Sequence, residues 1–173
     1  MASPPLNYSV ASRGWTQALA HIFSDIQNAI ASSMLKKLSS LQSGTLGELL
    51  AVAKLNTLGF AAYISPEGAP GHDIIVVVDG QAKSIEVKTR QFLSRPSEIT
   101  RWPVDMEAKR DADFFLFIEL DLRTLSPNFY LLTNIQARET YKNYIGGGNC
   151  TPPHVRRLVN PNDFSALDGE AHS

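Results

Sequence analysis

The chain has 173 residues, with 16 basic and 17 acidic side chains, a net charge of −1, 43% hydrophobic residues and 19% charged ones. That is one domain's worth of sequence, able to build a core unaided, and it excludes both a disordered polymer and a protein that coats nucleic acid by bulk charge. No apolar run approaches the roughly 20 residues of a membrane helix, the start has no basic region followed by an apolar segment, and Cys150 is the only cysteine. A cytoplasmic protein with no membrane contact, no internal disulfide and no cysteine zinc site is expected.

Residues 1–14, with their prolines and serines, predict a loosely ordered start. Trp15, Leu19, Ile22, Ile26, Ile30, Met34, Leu38 and Leu41 recur at spacings of three and four, which predicts a long N-terminal amphipathic helix. Its stripe suits core packing or a subunit interface, and its length suits a homodimer formed through it. Gln42-Ser43-Gly44 predicts a break before a second helix over 45–58, where Thr45 and Glu48 fit a capping box. That helix is apolar nearly all round, which predicts burial. Gly59 is placed to end it in the left-handed conformation, and a strand over 60–64 follows.

The loop Ser65 to His72 is rich in proline and glycine, and beyond it the pattern becomes that of a β-hairpin. Asp73 to Val78 is almost wholly apolar and β-branched, Lys83 to Thr89 alternates, and Asp79-Gly80 supplies the positive φ that a two-residue hairpin turn requires. Counting back from that turn sets Asp73 opposite Glu86. A four-residue loop would set Asp73 opposite Lys88 instead, and in both registers Asp73, Glu86 and Lys88 share one face unless a bulge intervenes. Opposed carboxylates about 5 Å apart repel, and one lysine does not balance two of them. A hard divalent cation resolves the conflict, since carboxylate oxygens and water are its preferred ligands.

From Lys83 to Arg110 seven basic residues face four acids, and Arg90, Arg95 and Arg101 make a rim suited to phosphates. Phe92 and Trp102 in this stretch either stack on bases or anchor the loop to the core. Two further strands are expected over 113–121 and 128–133, joined around Ser126-Pro127-Asn128, with Glu119 and Asp121 at an exposed strand end. A short helix over 134–144 is expected to end at Gly146–Gly148, and the tail from Asp168 to fray.

Asp73, twelve intervening residues and then Glu86-Val87-Lys88 resemble the active-site motif of the PD-(D/E)xK nuclease superfamily, which includes restriction endonucleases and archaeal Holliday-junction resolvases. Glu107-Ala108-Lys109 is a second Glu-x-Lys without an alternating strand, so the context singles out the first. His72 stands where the family's proline is usual. The order of elements from 45 to about 133 resembles the family core, and the resemblance implies an α/β fold, a restriction-endonuclease-like mixed central sheet flanked by helices, in a single domain over 15–167. It further implies a Mg2+-dependent DNA endonuclease, with Mn2+ able to substitute, whose products end in 5′-phosphate and 3′-hydroxyl. Asp73 and Glu86 would hold the metal and Lys88 would act on the phosphate and water. Glu48 would support them, unless it only caps Thr45. The rival reading is a module that kept the fold, binds DNA and does not cut.

Overall fold

A computed structural model describes residues 35–66, 72–106, 111–144 and 147–168. The stretch from Trp15 to Met34, most of the expected N-terminal helix and its expected dimer contact, lies outside the described residues, as do 67–71, Glu107–Arg110 and the tail beyond 168. The described helices and strands all belong to the compact unit that begins at Lys37. Among the described residues no helix is long and apolar enough to cross a membrane.

Helix α1 runs Ser40–Thr57, five residues earlier than the sequence pattern placed its start. Residues 35–39 are not helical, so the amphipathic stripe does not extend to Leu41, which is 80% exposed on α1. The cap is Ser39, whose side chain accepts from the Gln42 N–H while the Gln42 side chain accepts from the Ser39 N–H. Two orphan N–H groups are thereby satisfied, and a capped start outweighs the cost of about 1 kcal/mol for Gly44 inside the helix. Glu48 therefore lies in the third turn and is not a cap. Nor is α1 apolar all round in its packing. Ser43, Gly47, Ala51 and Leu55, one residue per turn, form its buried face, while Leu49 is 52% exposed. Gly59 does end the helix in the left-handed region, at φ 94°.

Strands β1 (Ala61–Ile64), β2 (Ile74–Val78), β3 (Gln81–Phe92), β5 (Phe114–Asp121) and β6 (Ser126–Thr133) form one mixed sheet in the order β1-β2-β3-β5-β6. All pairs are antiparallel except β3 with β5. This is the mixed central sheet expected from the sequence. The hairpin closes as read: Val78 faces Gln81 across Asp79 at φ 49° and Gly80 at φ 75°. A smaller sheet joins β4 (Trp102–Pro103), β8 (Gly147–Cys150) and β7 (Tyr141–Tyr144). Helix α2 (Asn134–Thr140) follows β6, and helix α3 (Pro152–Leu158) follows β8.

Strand alternation divides the core. Ile74, Val76, Ile85, Val87, Leu116 and Ile118 pack beneath Ala51 and Leu55 of α1. Phe115, Phe117, Tyr130 and Leu132 face the other way, against Trp102, Val104 and Ala137. Trp102 is fully buried, with its ring 5.1 Å from that of Phe117 and its Nε1–H donating to the Ile118 carbonyl, and Phe92 is buried too. Both aromatics anchor the segment to the core, which removes the base-stacking alternative.

Three further expectations are corrected. The β5–β6 turn is Leu122–Leu125, and Pro127 lies within β6, where an edge strand tolerates its missing N–H. Helix α2 stops at Thr140, after which the chain forms β7, and the glycines at 147 and 148 belong to β8. Glu119 is not at an exposed end. It is 1% exposed, accepts from the Tyr130 hydroxyl at 3.0 Å and is bridged by Arg156 of α3.

Candidate active site

The hairpin and α1 bring the candidate residues together at the place where β2 and β3 part. The β2–β3 register ends at Ile74 opposite Ile85, and the Asp73 N–H also bonds the Ile85 carbonyl. Two consecutive residues thus address one, as in a β-bulge, and the ladder stops there. On its other side Asp73 is held through its carbonyl, which accepts from Ser65 N–H at 2.9 Å. With the ladder ended, the Val87 N–H has no strand partner and donates to Asp73 Oδ2 at 2.7 Å. The bulge therefore replaces the simple opposition of Asp73 and Glu86 by a carboxylate set into the gap between the strands.

Glu86 and Lys88 occupy the β3 row that faces away from α1, opposite Phe115 and Phe117 of β5. Glu86 is fully buried. Lys88 Nζ reaches its Oε1 at 2.5 Å and keeps 29% of its side chain exposed. Glu48 approaches from α1, whose closeness depends on Gly47: a Cβ there would lie 1.8 Å from Thr89 Oγ1 on β3. Glu48, Asp73 and Lys88 line one open cleft of about 290 Å3, together with Ser43, Gly44 and Arg90.

The electrostatics tie the four charged groups to one another. The Glu48 carboxyl is pushed above its ordinary range, first by burial and then by the negative charges of Asp73 and Glu86, against the opposing pull of Lys88. Glu48, Asp73 and Glu86 outnumber Lys88 and Arg90 by one, so the cleft keeps a surplus negative charge, the environment in which a cation is favoured. Among the described residues no three His, Cys, Asp or Glu side chains are gathered as a ready metal cage. The donor set nonetheless fits a magnesium-type ion, which takes one or two carboxylates and keeps several waters. Asp73 and Glu86, with Glu48 nearby, are the residues that would supply such oxygens.

Of the three arginines expected to contact phosphates, Arg90 lines the cleft beside Lys88 and Arg101 lines its continuation. Arg95 enters through its backbone, whose N–H donates to Glu98 Oε1 at 3.2 Å. Sequence reasoning missed Lys37, Ser43 and Glu98 in this region. Glu98 lay in the stretch least readable from sequence, and nothing in the pattern around Lys37 pairs it with a residue sixty positions on. Cys150 is buried, with burial pushing its thiol up, and His154 lies on α3 against Thr151 Oγ1. Neither joins the cleft.

No protein-family model matches the chain, and no curated protein matches it by sequence. Among solved structures it is similar to the bacterial homing endonuclease I-Ssp6803I, at 14% identity and a TM-score of 0.45, over 65% of this chain and 73% of that one. It is also similar to Hjc, a Holliday junction resolvase from the archaeal hyperthermophile Archaeoglobus fulgidus, at 16% identity and a TM-score of 0.49, over 75% of this chain and 98% of that one. These likenesses concern the course of the chain.

Proposed function

We propose that the protein is a cytoplasmic, metal-dependent DNA endonuclease that hydrolyses phosphodiester bonds, of restriction, repair or junction-resolving type. The observation that carries this reading is one open cleft lined by Glu48, Asp73 and Lys88, with buried Glu86 paired to Lys88, where burial first and then the charges of Asp73 and Glu86 raise Glu48. Asp73 and Glu86 would hold Mg2+, or Mn2+ in its place. Such an ion supplies polarisation of a phosphate oxygen and a bound water of lowered pKa.

The chain's own residues do the rest. Ser65, Ile85 and Val87 fix the Asp73 backbone and one carboxylate oxygen, so that Asp73 needs no rearrangement when substrate arrives. Lys88 neutralises Glu86 when the cleft is empty. The Lys88 ammonium, held beside Glu86, would orient the attacking water and offset charge developing on the phosphate. Arg90, next along β3, meets the substrate backbone. Glu48 adds negative potential from the α1 side.

The test is incubation of labelled linear, nicked, branched and single-stranded DNA with Mg2+ or Mn2+. Cleavage of at least one, abolished by EDTA and by Asp73→Asn, is expected. Binding without cleavage under every metal would make the protein a binding module, and neither binding nor cleavage would end the nucleic-acid reading.

A further inference from the structure

The cleft does not end at Lys88. A second hollow of about 310 Å3 shares Ser40, Ser43, Thr89 and Arg90 with the first and continues to Lys37, Glu98 and Arg101. Its charges are unequal: three cations against one carboxylate. That carboxylate is held in an unusual way. Glu98 accepts from the N–H groups of Ser94 at 2.8 Å, Arg95 at 3.2 Å and Leu93 at 3.4 Å, and also pairs with Lys37 Nζ at 3.1 Å. These contacts, the Ser94 and Arg95 N–H groups first and Lys37 after them, hold it down to about 2.

The order of those causes matters. Glu98 is stabilised chiefly by backbone donors that cannot leave, so Lys37 can be withdrawn without stranding it. Lys37 is also placed to move. Its side chain is 52% exposed, while the adjoining backbone is fixed, because Gln91 clamps Leu38 through both amide atoms, accepting from its N–H at 2.9 Å and donating to its carbonyl at 2.6 Å.

Resting on the nuclease reading of the adjoining cleft, we infer that the arm lined by Lys37, Arg90 and Arg101 is a second anion subsite. It takes a phosphate of the nucleic-acid strand beyond the one being cleaved, and Glu98 parks Lys37 there until that phosphate arrives. Glu98 is thus a brake on binding, since it opposes an incoming polyanion and occupies one of the cations that would receive it. Each arm is of nucleotide scale, at the low end of small-ligand clefts, so the two together accommodate successive units of a strand.

The experiment is fluorescence anisotropy with a labelled DNA fragment in EDTA at several salt concentrations, so that no cleavage occurs. Arg101→Ala is expected to weaken binding about tenfold, as loss of a charge-assisted contact does. It should also flatten the log–log salt slope by about one, as loss of one phosphate contact does. Glu98→Gln, which keeps an oxygen for the backbone donors, is expected to tighten binding severalfold. Lys37→Gln added to it should cancel the gain. Lys37→Gln alone is expected to weaken binding, and circular dichroism and melting are recorded for each variant.

A folded Arg101→Ala protein with native affinity and slope would overturn the subsite, as would weaker binding by Glu98→Gln or no DNA binding by the native chain even at low salt. Cleavage is not read, so a chain that binds in this way and never cuts retains the subsite and loses only the nuclease reading. A chain that cuts DNA while ignoring these substitutions does the opposite.

Discussion

Replacing Lys88 by methionine should destabilise the metal-free protein, and a divalent cation should restore it. The Glu86 side chain is 0% exposed and Lys88 Nζ stands 2.5 Å from its Oε1. Removing one partner of a buried ion pair costs about 3–5 kcal/mol, because the remaining charge stays out of water without its counter-ion. Lys88 retains 29% exposure, which places the expected loss near the lower end, about 3 kcal/mol. For a chain of this size that corresponds to a fall in melting temperature of roughly 6–12 °C. A cation on Glu86 present at a hundred times its dissociation constant returns about 2.7 kcal/mol, nearly the whole loss. Urea unfolding in EDTA and in excess Mg2+ measures both. Glu86→Gln with Lys88→Met removes both charges together and should lose far less than Lys88→Met alone. A Lys88→Met protein within about 0.5 kcal/mol of the native one would refute the reasoning. So would an equal loss in the Glu86→Gln background, or no response to the cation.

Two other substitutions probe how the site is held. Gly47→Ala puts a Cβ 1.8 Å from Thr89 Oγ1 and should cost about 1–3 kcal/mol, part of it recovered by adding Thr89→Ala; denaturant midpoints decide, and an unchanged single variant would show that α1 does not need its close approach. Glu48 is raised above its unfolded value, so its contribution is fully present below the unfolded pKa and is lost as pH rises through the folded one. Glu48→Gln in EDTA should therefore melt higher than the native protein at neutral pH and equal it in acid, and a difference independent of pH, or of opposite sign, would contradict the cause assigned to that shift.

The hairpin was legible because its signals are local. Asp79-Gly80 dictates the turn, and alternation on β3 dictates which residues share a face, so it needed only counting to see that Glu86 and Lys88 point the same way; which face α1 covers did not follow from it. The bulge at Asp73 was not legible, since it depends on Ser65, just past β1, and Ile85 of β3 gripping its backbone. The start of α1 was misplaced for a different reason. The leucine stripe upstream and the glycine at 44 suggested a break, whereas the Ser39–Gln42 cap overrode both. Glu119 shows the limit most clearly. A glutamate near a strand end reads as exposed, and its burial follows from Tyr130 on the next strand and Arg156 thirty-seven residues downstream. Likewise β7 and β8 are short, polar and glycine-bearing, and β8 also pairs with Trp102 and Pro103 of β4, far away in sequence.

Calorimetric titration of Mn2+ into the native protein and into Asp73→Asn tests the account at its centre. Saturable binding by the native chain, lost or much weakened in the variant with its fold intact, is the result expected of a carboxylate cleft with surplus negative charge. Absence of binding by the native chain, or equal binding by both, would show that these acids are not gathered for a cation.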